Sequence, residues 1–325
     1  MAMLSRSRSR ALTEGLDVAC PACGSPGRAL ALVVEPGCRL VGCPDCGTQY
    51  LRRIESGPGS GGRPDRDGHD GTRTGTDSEY WEEYKFEVYD SEDVRRGYDE
   101  RYDLAFGMLG ERTGASRTVL DVGCGVGNFL DWARRHGMQA IGVDVEPRAV
   151  AAARDRGLVA AVPDDLDEVL RPLGQVDVLT MWDVVEHVFE PGDFLGRFVP
   201  YVTPGGALLL ETPDAAFPVR MVFRALHWIS GGRLDLIGAM YYWEHKVYFT
   251  ESGLRRLLAD HGCELVEVRR LTSPRAKMAH TFSHDLEQRP SLSGRLLAGA
   301  WPPAERVFRR LGCGNKLVVL ARRVP

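Results

Sequence analysis

Residues 119–130, VLDVGCGVGNFL, constrain the fold more than any other stretch of this chain. Val119-Leu120 is a short apolar run that leads into Asp121. Three glycines follow at alternate positions, Gly123, Gly125 and Gly127, and Asn128-Phe129-Leu130 opens a helical pattern. The order predicts a strand, a tight loop and a helix. Glycine lets the loop turn sharply and lets a ligand approach where a Cβ would stand. The spacing is GxGxG, not the GxGxxG of dinucleotide turns, and Asp121 would repel a pyrophosphate. An acidic loop of this kind suits a ligand that carries an ammonium group. A second apolar run, 140–144, ends in Asp144. An acid at the tip of a second strand can accept both hydroxyls of a ribose.

Apolar runs and helical stretches keep alternating through the rest of the chain. Strands are expected at 118–122, 139–143, 158–162, 176–181, 206–211, 264–271 and 315–322, with helices between them. That alternation predicts an α/β fold with a doubly wound, mostly parallel sheet. Ligands of open α/β sheets sit at the carboxyl ends of the strands, where Asp121, Gly123, Asp144, Asp165 and Asp183 would converge.

Asp121-Val-Gly-Cys-Gly-Val-Gly127, Gly142-Val-Asp144, Trp182-Asp183-Val-Val-Glu186-His187 and Pro204-Gly-Gly-Ala-Leu-Leu-Leu-Glu-Thr-Pro213 resemble the successive motifs of class I S-adenosylmethionine (SAM)-dependent methyltransferases. They come in the family's order, and the resemblance covers residues 80–325. It implies a Rossmann-like, seven-stranded sheet with an antiparallel hairpin at one edge. It also implies a SAM site built from Asp121, Gly123, Gly125, Gly127, Asp144, Val145, Asp165, Leu166 and Asp183. In that family an acid after the third strand accepts the adenine amino group; Asp164 and Asp165 both stand at this point. The loop at Asp183 would face the methyl group. His187 and His245 are the candidates for a general base, because imidazole takes a proton near neutral pH.

Cys20-Pro-Ala-Cys23-Gly and Cys43-Pro-Asp-Cys46-Gly are two CxxCG knuckles separated by nineteen residues. Four thiolates from two tight turns suit a closed, tetrahedral, structural Zn²⁺ site. Leu30–Val34 and Arg39–Val41 can pair between the knuckles, which predicts a zinc ribbon over 17–52. A module that small depends on its metal to fold. Cys38 is a spare thiol without a CxxC partner. The same head, followed by a linker and a Tyr-rich segment, resembles methyltransferases of sugar and surface-polymer pathways.

Residues 1–16 read as a flexible tail and 53–78 as a flexible linker, the latter almost free of apolar side chains. Residues 79–325 form the expected methyltransferase domain. Its lead-in carries Tyr80, Trp81, Tyr84, Phe86, Tyr89, Tyr98 and Tyr102, which suit either a cover over the ligand or simple core packing. Residues 215–245 read as an acceptor-side insertion. It holds a helix from Pro218 to Gly231 and a second apolar stretch with Leu234, Leu236, Ile237, Met240, Tyr241, Tyr242 and Trp243. This predicts an acceptor with an apolar part; a dimer or membrane-surface contact explains the same residues. Basic residues gather near the end: Arg295, Arg306, Arg309, Arg310, Lys316, Arg322 and Arg323. They suit a phosphate, a nucleotide-linked or carrier-linked acceptor, or a plainly solvated face.

The 325 residues are 43% hydrophobic and carry a formal net charge of −4, which disfavours bulk nucleic-acid binding. No apolar run approaches the ~18 residues of a membrane span. Cysteines paired as CxxC point to metal in a reducing cytoplasm. Three functions compete. A small-molecule methyltransferase acting on a hydroxyl oxygen of a sugar or secondary metabolite leads. A zinc-ribbon RNA methyltransferase is second, and a non-catalytic SAM-binding interaction protein third.

Overall fold

The computed structural model describes residues 19–35, 38–53, 83–110, 117–231, 240–242, 244–280 and 292–325. The expected tail, nearly all of the linker, Tyr80, Trp81, Leu234, Leu236, Ile237 and Trp243 lie outside them. The chain divides into two compact units. One comprises residues 1–76, 185–194 and 214–257; the other comprises 77–184, 195–213 and 258–325.

The larger unit is built on a seven-stranded sheet. Five parallel strands come first: β4 (Thr118–Val122), β5 (Gln139–Val143), β6 (Val159–Ala161), β7 (Val176–Trp182) and β8 (Val202–Pro213). β10 (Cys263–Leu271) and β11 (Lys316–Arg323) then pair antiparallel, with β11 also antiparallel to β8. The spatial order is β10-β11-β8-β7-β4-β5-β6. The order reverses at β4, and such a switch point opens a crevice for ligands. The central strands read as near-continuous apolar runs because helices cover both faces, and Val119, Leu120, Leu179 and Leu208 are fully buried.

Two lead-in helices, α1 (Glu83–Asp90) and α2 (Glu92–Gly107), precede the sheet. Tyr98, Tyr102 and Phe106 from α2 enter the main core with Phe129, Trp132 and Trp182. Tyr102 meets Trp182 at 4.8 Å and Phe129 edge-on at 5.1 Å. Core packing therefore accounts for Tyr98 and Tyr102. Phe86 packs against a small cluster of Val126, from the glycine loop, and Ala149, and Tyr89 touches both this cluster and the main core.

The smaller unit holds a four-stranded antiparallel sheet. β1 (Arg28–Glu35), β2 (Cys38–Gly42) and β3 (Gln49–Arg53) are local; β9 (Val247–Tyr248) joins from two hundred residues later. The ribbon thus has a third strand and a distant fourth beyond the predicted pair. Leu40, Leu51, Ala215, Tyr241 and Tyr248 form a separate core here. Arg220 is buried over the Tyr241 and Tyr248 rings, at 5.0 and 4.3 Å. It belongs to the helix Pro218–Ile229, which starts at the predicted proline. That helix turns Met221, Val222, Leu226, Trp228 and Ile229 outward.

Candidate functional site

The glycine loop runs from β4 into the helix Asn128–Arg135, and all three of its glycines have positive φ: 75° at Gly123, 51° at Gly125 and 83° at Gly127. A Cβ on Gly123 would stand 2.4 Å from Val184, and one on Gly127 would stand 2.6 Å from Leu158. Only glycine meets both demands. The Gly123 and Cys124 amides donate to the Val143 carbonyl, which curls the loop over the end of β5. Asp144 completes the arrangement. One carboxylate oxygen accepts from the Gly125 amide at 2.8 Å, the other from the Glu146 amide at 2.9 Å. Besides its expected ribose role, this acid therefore pins the loop.

Asp121 is buried at the end of β4 and accepts a hydrogen bond from the Thr180 hydroxyl at 2.7 Å. Burial pushes its carboxyl well above the usual range, with the Thr180 bond opposing and Asp144 adding to the rise. Burial likewise raises Asp144. These two acids and the three glycines converge at the carboxyl ends of β4 and β5. Val145 follows on an exposed turn. Asp164 and Asp165 are both exposed and Leu166 is buried; Asp165 stands at a helix N-cap without a side-chain cap bond. A capping duty thus does not account for Asp165.

Asp183 belongs to a different network. It adopts φ 56°, a left-handed conformation unusual outside glycine, directly after β7. Its carboxylate pairs with Lys277 at 3.1 Å and with Lys316. Burial would raise its pKa, but Lys316 and Lys277 override this and hold it well below the usual carboxylate range. Lys277 also donates to the Tyr98 hydroxyl at 2.7 Å. Nearby, Arg101 from α2 pairs with buried Glu211 of β8 and donates to the Thr272 carbonyl. No local sequence pattern marks these partners, and Lys316 reads as one of a run of basic residues near the end. Two of those basic residues serve the backbone instead: Arg322 donates to the Gly205 carbonyl and Arg323 to the Pro200 carbonyl.

The smaller unit carries two clusters. Cys20, Cys23, Cys43 and Cys46 place their sulfurs within 4.8 Å of one another, with 3.7 Å from Cys20 to Cys46 and 3.5 Å from Cys23 to Cys43. Four sulfurs at 2.3 Å from one tetrahedral ion would lie about 3.8 Å apart, so the set fits zinc. The hydrogen bond from Cys20 lowers the Cys46 thiol against the opposing effect of burial. The second cluster is Glu186, His187 and His245. Their ligand atoms also lie within 4.8 Å of one another. The two imidazole centroids are 4.9 Å apart at 76°. The structure thus brings the two predicted histidines together and adds Glu186, which sequence reasoning noted only as a neighbour.

Comparison with known proteins places the chain. The family described as "Methyltransferase domain" matches residues 91–268, more than half of the sequence. The Ubiquinone biosynthesis O-methyltransferase of Cupriavidus pinatubonensis is 24% identical over 57% of this chain and 75% of its own length. A protein named Probable S-adenosylmethionine-dependent methyltransferase in Mycolicibacterium smegmatis is 31% identical over 35% of this chain and 44% of its own. The Rhodopseudomonas palustris Ubiquinone biosynthesis O-methyltransferase is 33% identical, and the chain spans 39% of its length. Among solved structures, the cyclopropane synthase MmaA2 from Mycobacterium tuberculosis aligns with a TM-score of 0.50 at 18% identity. That alignment covers 75% of this chain and 95% of that one, and it shows the shared fold. With the matching domain, the sheet order and the glycine loop together, this chain belongs to the class I SAM-dependent methyltransferases.

Proposed function

We propose that the protein transfers a methyl group from SAM to a hydroxyl oxygen of a small molecule with an apolar part. SAM supplies an activated methyl group on a sulfonium. Asp121 and the Gly123–Gly127 loop hold its amino-acid end, and Asp144 takes the ribose hydroxyls. Asp165, Leu166 and Val145 frame the adenine, and Asp183 fixes the bend after β7. The single observation that carries this reading is the loop itself: three positive-φ glycines beside two buried acids. A backbone cradle that a Cβ would fill, flanked by carboxyls, suits a cationic nucleoside.

On the acceptor side the chain must orient a hydroxyl, exclude water and remove a proton. Orientation alone can contribute up to roughly 7–11 kcal/mol. The Glu186–His187–His245 cluster is the proposed group for the proton. Support for an apolar acceptor comes from the outward Met221, Val222, Leu226, Trp228 and Ile229, and from relatives named for ubiquinone biosynthesis. We assign structural zinc to Cys20, Cys23, Cys43 and Cys46, where it would tie β1–β3 together. The test is steady-state kinetics of His187→Ala and His245→Ala with phenolic and sugar hydroxyl acceptors, alongside calorimetry with S-adenosylhomocysteine (SAH). Turnover should fall at least about tenfold while SAH affinity stays within about twofold. Unchanged turnover in both variants would remove the histidines from the reaction.

A further inference from the structure

The Glu186–His187–His245 cluster carries a more specific assignment than proton transfer. We propose that it binds one divalent transition-metal ion through the Glu186 carboxylate and the two imidazoles. For its role the proposal rests on the methyltransfer reading above; for its existence it rests on the cluster alone.

Four features of the cluster point to a cation. First, the three ligand atoms converge, all within 4.8 Å of one another. Ligands bound at about 2.1 Å to one ion lie about 3.0–4.2 Å apart, so small side-chain rotations close the set. Second, one nitrogen of His187 is engaged by the backbone. Its Nδ1 lies 3.1 Å from the Glu244 carbonyl, which can only accept, so Nδ1 carries a proton and Nε2 is the nitrogen that the neutral ring would offer a cation. A metal-bound histidine is commonly held by such an outer hydrogen bond. Third, the ligand segments are tied together. The Lys246 amide donates to the Glu186 carbonyl at 2.7 Å, and the Leu51 amide donates to the Lys246 carbonyl at 2.8 Å. These bonds join the turn 185–187 to 244–246 and to β3, so the ligands need not be gathered from flexible chain. Fourth, Glu186 is 0% exposed, so its side of the ion would be shielded from bulk water.

Ligand chemistry selects the metal. Two imidazoles with one carboxylate suit Zn²⁺, Mn²⁺, Fe²⁺ or Co²⁺, whereas Mg²⁺ and Ca²⁺ prefer oxygen. Three protein ligands leave positions open, unlike the closed tetrathiolate set. A hydroxyl bound at an open position loses its proton more readily, so the ion would serve the acceptor side. The rival occupant is a proton shared between the imidazoles and the carboxylate.

The experiment counts metal on the full-length chain. Protein prepared metal-free is titrated with Co²⁺, read by native mass spectrometry and by visible absorption. Two equivalents are expected. One gives intense thiolate-to-cobalt charge transfer; the other gives only weak bands from a nitrogen and oxygen site. The His187→Ala/His245→Ala variant should keep the first and bind the second on the order of 100-fold more weakly. His245→Gln is the conservative second variant, and the thiolate band in the same sample reports that the chain is folded. Saturation of the unaltered chain at one equivalent would overturn the proposal, as would retention of the second equivalent by the double variant. SAH calorimetry on the same protein separates the two readings. Absent SAH binding removes the methyltransfer role but leaves the metal count standing.

Discussion

Replacing Arg101 by Met tests how the lead-in helix is tied to the sheet. The guanidinium is buried, pairs with the Glu211 carboxylate and donates to the Thr272 carbonyl. Glu211 is 1% exposed. In the intact protein, burial pushes its carboxyl up and Arg101 opposes that rise. Without Arg101, Lys316 and Lys277 are left to oppose burial and Asp183, and the carboxyl escapes by taking a proton. From its ordinary value of 4.5, protonation at pH 7 spans about 2.5 units and costs about 3.4 kcal/mol at 1.36 per unit. The stranded Thr272 carbonyl adds about 1 kcal/mol or more. The sum agrees with the roughly 3–5 kcal/mol for breaking a buried pair. The variant therefore should lose about 4 kcal/mol at pH 7, read from urea unfolding. The sign with pH follows. The raised carboxyl makes the folded variant bind more protons than its unfolded chain above pH 4.5, so its deficit grows as pH rises through that window. At pH 5 the proton costs only about 0.7 kcal/mol, and the deficit should shrink by about 2.7. Adding Glu211→Gln should remove the pH dependence. A deficit below about 1 kcal/mol at pH 7, or one equal at pH 5 and pH 7, would refute the reasoning.

Three further outcomes are expected. Gly123→Ala combines a left-handed conformation with a 2.4 Å approach to Val184, and should cost roughly 2–5 kcal/mol in stability by urea unfolding; a loss under about 0.5 would contradict the strain argument. Chelation of the tetrathiolate metal, or Cys20→Ser, should abolish amide-exchange protection at Val41 and Tyr50 while β4 and β7 keep theirs; full protection in the metal-free protein would contradict a structural role. SAM binding should release protons, because the Asp121 carboxyl sits well above the usual range when buried and a cation favours the carboxylate. Affinity then rises with pH up to that raised value and levels off beyond it. For stability the sign is opposite: above the ordinary carboxylate value the folded state binds the extra proton, so stability falls as pH climbs through the window. Calorimetry in buffers of different ionisation heat checks the proton count, and a count of zero would contradict the prediction.

Much of the larger unit was legible because its central strands are buried on both faces and read as continuous apolar runs. The ranges 118–122 and 139–143 were read to the residue, and the loop between β4 and its helix announced itself through glycine spacing. The cysteine cluster was legible because CxxC is local. What escaped was assembled from distant sequence. β9 is two residues long, too short for any period to show, and becomes a strand only beside β3. Asp183 read as an acid in a ligand loop, yet Lys277 and Lys316 reach it from ninety-four and one hundred and thirty-three residues away. Glu186 gave no signal beyond standing next to His187; only the fold brings His245 to both.

The central claim is that the carboxyl-flanked glycine loop binds the ammonium-bearing amino-acid end of a nucleoside, and calorimetry with SAH, which keeps that ammonium, measures it most directly. The account predicts a single site per chain whose affinity falls about 10–100-fold in Asp121→Asn, the worth of one charge-assisted hydrogen bond. An absence of heat with the intact protein, or equal affinity in the two proteins, would contradict it.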